Sequence, residues 1–263
     1  MTNIIVCMKQ VIDPEAPVSM FKVDPDARRA IPPKATPPVL SPFDENALEA
    51  ALKIKDAQGA KVTVLSMGQK LAKAVVRAPL AAGADQLFML EDASFADFDT
   101  YFTASVLAAA IKKIGEFDLI LCGMQAADTD GGQVGSGIAD ILGIPCINIA
   151  RKVEINSGKV KVERILPDGY EVIEVSAPAL VTTSYEVGNL REPSVEAFMT
   201  AAKKPVTIWN AQQLGIGPAA KNRISMLKLH QPVSTTKCEI ITGASPEEAA
   251  ANLASKLKQV KAI

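Results

Sequence analysis

At 263 residues, with 48% hydrophobic and 22% charged side chains, the chain can build one large α/β domain with a smaller appendage. A formal net charge of −1 removes the global electrostatic case for nucleic acid or an anionic membrane surface. No apolar run approaches the roughly 18 residues of a membrane span, the opening segment carries no basic leader, and a cytoplasmic location is the default expectation.

Residues 3–8 (NIIVCM) read as a first strand. Residues 9–42 hold Pro14, Pro17, Pro25, Pro32, Pro33, Pro37, Pro38 and Pro42, which predicts an ordered loop or small hairpin and excludes a helix. Ser41-Pro42-Phe43-Asp44 then opens a helix: Ser41 as cap, Pro42 at the first helical position, Asp44 three residues after the cap. That helix runs through Ala47, Leu48, Ala51, Leu52 and Ile54 to a turn at Gly59. Residues 62–67 form a second strand ending at Gly68, and a helix over about 69–82, disturbed by Pro79, stops at Gly83. A third strand over 86–90, a helix over 99–114 and a fourth strand over 118–122 complete an alternation that predicts a doubly wound, mostly parallel sheet.

Past residue 145 the pattern turns β-rich. Strands at 147–155, 160–166 and 170–175 are separated by the turns Asn156-Ser157-Gly158 and Pro167-Asp168-Gly169, so an added β-hairpin region is expected. Residues 179–184 (ALVTTS) give one more apolar strand. Residues 186–205 are polar, 206–244 read as extended and irregular, and 245–260 form a helix opened by Ser245-Pro246-Glu247-Glu248. The expected organisation is an α/β nucleotide-binding domain over 1–185, a partner-docking segment over 186–205, and a C-terminal arm with its helix over 206–263.

The stretch with the most chemical content is 118–137, DLILCGMQAADTDGGQVGSG. An apolar strand stops at Gly123 and enters a loop with two aspartates and Gly131-Gly132. A helix-compatible pattern then starts at Gln133. Strand, glycine loop and helix can hold a nucleotide, because main-chain N–H groups approach the ligand and the helix N-terminus offers unpaired donors. Glycine-rich loops of this kind also serve turn geometry alone. In a parallel sheet, ligands gather outside the carboxyl ends of strands where strand order reverses. Adjacency of the first and fourth strands would place Cys7 next to Gly123. Asp128 and Asp130 would repel phosphate unless turned away. They are open to three readings: acceptors for ribose hydroxyls, caps for the following helix, or solvated loop residues. Phosphate contacts would come from amides around 131–134, and an adenosine could pack on Val6, Met67 and Leu121.

Other chemistries have little support. Cys7, Cys122, Cys146 and Cys238 show no CxxC spacing, which leaves zinc and iron–sulfur sites unsupported and suggests small buried thiols for the first three. One histidine, His230, serves acid–base catalysis poorly. Neither GxGxxG, GxxxxGK[ST] nor a pyrophosphatase-like SGGxDS loop is present. No catalytic residue and no metal site is expected.

Several segments together resemble the β subunit of electron transfer flavoproteins over nearly the whole chain. They are Val6-Cys7-Met8-Lys9 with Asp13, Ser41-Pro42-Phe43-Asp44-Glu45, Ala82-Gly83-Ala84-Asp85 and Gly123-Met124-Gln125-Ala126-Ala127-Asp128. The most specific is Val162-Glu163-Arg164-Ile165-Leu166-Pro167-Asp168-Gly169-Tyr170-Glu171 with Pro178-Ala179-Leu180-Val181-Thr182, where Pro167 stands at a usually acidic position. The resemblance implies an adenine nucleotide alpha hydrolase-like fold and a heterodimer with an α subunit sharing an FAD. The heterodimer would carry electrons between dehydrogenases, such as the acyl-CoA dehydrogenase type, and acceptors. It also implies a β-subunit nucleotide site holding AMP, or a second FAD that takes hydride from NAD(H) in electron-bifurcating members. By matching positions that site comprises Cys7, Ser41, Pro42, Phe43, Asp44, Met67, Gly123, Met124, Gln125, Ala126, Ala127, Asp128, Thr129, Asp130, Gly131, Gly132, Gln133 and Val134. Ser41 stands where AMP-binding relatives commonly carry Asn. Gln133-Val134-Gly135 is closer to the bifurcating type, although Ser136 replaces a proline of several such members. The run from Arg191 to Pro205 resembles the family's docking segment, with Arg191 and Val195 at partner-facing positions, and Lys203 and Lys204 as solubilising charges. Whether the subunit counts as an enzyme depends on bifurcation. A separate expectation, from another class, is an adenine-nucleotide sensor without redox activity or an α partner.

Overall fold

The computed structural model describes residues 1–31, 36–96, 98–217, 222–231 and 237–263; Pro32 and Pro33 lie outside them. Nine strands form the main sheet: β1 (Thr2–Met8), β2 (Ala60–Gly68), β3 (Gln86–Glu91), β4 (Leu119–Gly123), β5 (Cys146–Asn156), β6 (Lys159–Leu166), β7 (Gly169–Ser176), β8 (Ala179–Thr183) and β9 (Val206–Trp209). Their spatial order is β7-β6-β5-β8-β4-β1-β2-β3-β9. Every pairing from β5 through β9 is parallel, and only the β5–β6 and β6–β7 pairs are antiparallel. The chain leaves β1 towards β2 and β3, then returns across β1 to place β4 on its other side. Strand order therefore reverses between β1 and β4, the place where an open α/β sheet offers a crevice. Register puts Cys7 beside Cys122, so the expected neighbourhood of Cys7 and Gly123 is present.

Among the described residues the α-helices are α1 (Pro42–Gln58), α2 (Lys73–Val76), α3 (Ala78–Ala82), α4 (Thr100–Ile114), α5 (Val134–Leu142), α6 (Val195–Ala201) and α7 (Pro246–Gln259). The expected single helix over 69–82 is two short ones, since Pro79 enters at the second position of α3 and cannot continue the preceding ladder. The proline-rich excursion contains two small hairpins, Gln10–Val11 with Val39–Leu40 and Lys22–Asp24 with Arg29–Ile31.

Alternation along the strands divides the core into two apolar layers. Ile4, Val6, Val64 and Leu121 pack with Leu48, Leu52 and Ile54 of α1 and Leu80 of α3. Ile5, Cys7, Leu65, Ile120 and Cys122 face Phe102, Val106 and Ile111 of α4 and Ile138 of α5. The first layer continues over the antiparallel extension through Val153, Ile155, Val160 and Val162. Strand β5 serves both sheet regions by bending at a bulge: Val181 pairs with Ile147 but Thr183 with Ala150. Ile149, at φ +62, donates its N–H to the Thr182 hydroxyl at 3.0 Å. A left-handed β-branched residue is unusual, and the extra residue it accommodates turns the strand.

The chain divides into two compact units, Met1–Lys228 and Leu229–Ile263. Strand β9, unrecognised in the irregular 206–244 stretch, pairs with β3 at the sheet edge. The second unit contains α7, whose Ser245 hydroxyl accepts the Glu248 N–H at 3.3 Å, the expected capping device. Among the described residues no helix is long and apolar enough to cross a membrane.

Candidate nucleotide site

Three pieces of backbone meet at the carboxyl edge where β1 and β4 adjoin. Asp44, in the first turn of α1, is buried. One of its carboxylate oxygens accepts the Lys9 N–H at 2.8 Å and the other the Gly123 N–H at 3.0 Å. Ser41 donates its N–H to the Lys9 carbonyl at 2.9 Å. The sequence suggests a capping box here, and the structure corrects it. The Ser41 side chain caps nothing in α1; its hydroxyl accepts the Ala127 N–H at 3.3 Å. Because the loop lies directly against α1, both polar side chains are drawn outward to satisfy loop and strand-end amides. Gly123 permits this approach: a Cβ there would stand 2.6 Å from the Phe43 carbonyl carbon.

Burial pushes the Asp44 carboxyl up to about 7, opposed by the amides of Lys9 and Gly123 and the Lys9 charge. Cys7 and Cys122 are buried neighbours in adjoining strands. Hydrogen bonding with Cys7 and burial push the Cys122 thiol well above its ordinary range, so it stays protonated and unreactive at neutral pH. Cys146 is half-buried and Cys238 exposed.

The loop is fastened along its length. Met124 donates its N–H to Thr183 O at 2.9 Å, and the Ala126 carbonyl accepts Asp130 N–H at 2.8 Å. Asp130 at φ +49 and Gly132 at φ +61 make the turns, positions that Asp and Gly tolerate best. Lys9 Nζ pairs with Asp128 at 2.8 Å, Gln125 donates to Asp130 at 2.8 Å, and Thr100 donates to the Gln133 side chain at 2.6 Å. Neither aspartate caps α5, so the capping alternative is set aside: Gln133 holds the cap position, and no side chain bonds there. The start of α5 is wedged tightly. A Cβ on Gly135 would lie 2.7 Å from Thr182 Cγ2, and one on Gly137 2.9 Å from the Ala104 Cβ.

Two helix N-termini thus open on this edge, with opposite electrostatics. The first turn of α1 carries Asp44 and Glu45. That of α5 carries no acidic residue and no capping side chain, and it follows two glycines. Anions are favoured at a helix start left with free donors, so α5 is the end suited to phosphate. Met67 is half-buried at the end of β2, packed on the second apolar layer, and Phe43 is half-buried in the first turn of α1.

The expected site residues thus share one edge. The expected set of site residues did not include Lys9, Thr100, Thr182 or Thr183, although Lys9 and Thr182 lie in segments that carry the resemblance. The two β8 threonines are buried, and two hydroxyls closing an apolar strand (ALVTTS) were the available signal. Among the described residues no group of three or more His, Cys, Asp or Glu could hold a metal ion.

The 186–205 segment holds an unexpected helix, α6, capped by Ser194, whose hydroxyl accepts the Ala197 N–H at 3.2 Å. Val195 is 81%, Phe198 58% and Met199 73% exposed. Arg191 is bound to α1, donating to both Glu49 oxygens at 2.9 and 3.0 Å and to Asp56 at 2.6 Å. Those acids raise its pKa further, Glu49 foremost. Lys204 is not a solubilising charge: its half-buried amine donates to the Leu80 and Ala84 carbonyls, and burial lowers its pKa.

A family model described as the electron transfer flavoprotein domain matches residues 34–214. The chain belongs to that family. It is 41% identical over 262 residues to the caffeyl-CoA reductase-Etf complex subunit CarD of Acetobacterium woodii, covering 98% of each chain. It is 40% identical over 263 residues to the electron transfer flavoprotein subunit beta of Thermoanaerobacterium thermosaccharolyticum, covering 97% of each. Protein FixA of Azorhizobium caulinodans is 35% identical over 226 residues, 83% of this chain and 79% of FixA. The chain is therefore an electron transfer flavoprotein β-type subunit acting in electron transfer.

Proposed function

We propose that this β-type subunit pairs with an α subunit around a shared FAD and holds a second FAD of its own in the crevice between β1 and β4. The observation that carries the reading is the contrast between the two helix starts. α1 carries its own acids there, whereas α5 presents free amides behind Gly131-Gly132. The residues fit an adenine dinucleotide. The glycine at 123 lets the loop lie on α1, Gly132 at φ +61 gives main chain a close approach, and half-buried Met67 offers apolar surface; Val6 and Leu121, expected beside the adenosine, are fully buried in the first apolar layer and offer none. Gln133-Val134-Gly135, closer to the bifurcating type by resemblance, supports a second flavin over AMP.

Bound there, the flavin supplies hydride acceptance from NAD(H) and electron exchange with the shared FAD. The chain's own groups supply placement. Amides at 131–134 and the α5 start bind the phosphates, the Ser41–Ala127 bond fixes the loop, and the apolar strand ends exclude water. Segment 186–205 docks an acyl-CoA dehydrogenase-type partner through Val195, Phe198 and Met199, with Arg191 holding the base of that platform to α1.

The deciding measurement is the flavin count per heterodimer, by absorbance, after co-purification with the α subunit. Two FAD are expected. One FAD with extractable AMP would reduce the reading to simple electron carriage, and absence of any adenine nucleotide would overturn it.

A further inference from the structure

We propose that Asp44 is a positioning residue for the nucleotide crevice: its carboxylate touches the Lys9 and Gly123 amides, not the ligand, and through them sets the spacing of the β1 and β4 ends. This rests on the crevice reading above and departs from the direct-contact role implied for Asp44 by resemblance.

The geometry carries the inference. Asp44 is 7% exposed, and each of its oxygens is taken by one main-chain N–H, at 2.8 Å from Lys9 and 3.0 Å from Gly123. One amide is that of Gly123 at the end of β4 and the other that of Lys9 just past the end of β1, the two strands between which the sheet reverses. Both lie where a ligand anion would otherwise find donors, so an internal anion already occupies that position and phosphate is turned towards α5. The bond to Gly123 fixes the residue from which the ligand loop departs. The bond to Lys9 fixes the residue whose side chain holds the loop at Asp128. An ionised carboxylate serves both amides as an acceptor. A protonated one carries a donor on one oxygen and releases one amide. An Asn side chain has the same deficit permanently, with its NH2 turned against a backbone N–H.

The charged and titratable groups facing Asp44 are Lys9 and Asp128, with the protonated Cys122 thiol on β4 and Glu45 beside it on α1. Its carboxyl lies at about 7, so the clamp titrates where affinity can be measured. Ligand binding that needs the ionised clamp weakens on acidification.

The test uses the full chain in complex with its α subunit, stripped of the β-site nucleotide and titrated calorimetrically with AMP and, separately, with FAD, from about pH 6 to about pH 8.5. Wild-type affinity is expected to fall about tenfold towards the acid end, at the limiting slope of one proton. Asp44→Asn is expected to bind at least about tenfold more weakly at the alkaline end, with a flat profile. Lys9→Met removes a cation that favours the ionised form, so its midpoint moves to higher pH. A flat wild-type profile overturns the inference without any variant, which decides the matter even where Asp44→Asn does not fold. Unchanged affinity in a folded Asp44→Asn also overturns it. If wild type binds neither AMP nor FAD at any pH, the crevice reading itself fails and the inference with it. Binding with a flat profile removes only the role given to Asp44.

Discussion

A methyl group at Gly123 would sit 2.6 Å from the Phe43 carbonyl carbon and 2.7 Å from an Asp44 oxygen, and neither neighbour can swing aside. Gly123→Ala is expected to lower stability by about 1–3 kcal/mol and to empty the nucleotide site, read by thermal melting and by bound nucleotide per subunit. Gly132 offers the contrast. At φ +61 a Cβ would meet nothing closer than the Met124 carbonyl at 3.6 Å, so Gly132→Glu strains the backbone by about 1–2 kcal/mol yet leaves the core intact. Its effect falls on occupancy, because a carboxylate then stands beside the amides offered to phosphate. Retained occupancy would show that the loop faces elsewhere. Asp44 gives a pH signature of stability. Its folded pKa of about 7 lies above the ordinary 3.8, so the native state binds the extra proton between those values. The stabilisation is complete below about pH 4 and is lost as pH rises through about 7. Wild type minus Asp44→Asn, compared by denaturant melts of the nucleotide-free protein, should decline by a few kcal/mol over that window; a constant difference would contradict the burial argument.

At the scale of elements, α6 is held from two sides. Arg191 ties its leading segment to Glu49 and Asp56 of α1, and Lys204 ties its trailing end to carbonyls in α3 and just beyond it. Removing one member of a fully buried ion pair costs about 3–5 kcal/mol. The Arg191 side chain is 35% exposed, so Arg191→Ala should cost about 2 kcal/mol and loosen the segment. Faster amide exchange across 188–202 with an unchanged main sheet is the expected pattern; a uniform change would refute the tether. Much of this layer was legible in sequence, but unevenly. Strands β1 to β4 and helix α4 announce themselves by apolar runs and 3.6-residue spacing. Helix α6 was missed because it buries no residue and so has no inward stripe to read. Strand β9 was missed because it is four residues long and follows Pro205, giving too little alternation to detect. Asp44 and Ser41 were placed at the site by motif and given the wrong local bonds. A capping signature describes one helix, and here the competing acceptors and donors come from strands far away in sequence.

For the whole molecule, residues 1–228 contain all nine strands of the main sheet and both apolar layers, whereas 229–263 contain a helix with no buried residue. A helix of this length is marginal in water by its own hydrogen bonds. Ala249, Leu253, Leu257 and Val260 recur at helical spacing, a stripe suited to a partner surface. Truncation after Lys228 is therefore expected to leave a cooperatively melting protein of similar midpoint that co-purifies poorly with the α subunit. An unfolded truncation product, or undiminished capture of α, would each count against this division of labour. The two-sided fastening of α6 also bears on traffic between proteins. On the docking proposed above, a visiting dehydrogenase would meet Val195, Phe198 and Met199 on a ready-made knob, so little chain freedom would be surrendered on contact. A small, rigid contact of this kind can form quickly and release quickly, so the fastening of α6 favours a short-lived encounter at that face.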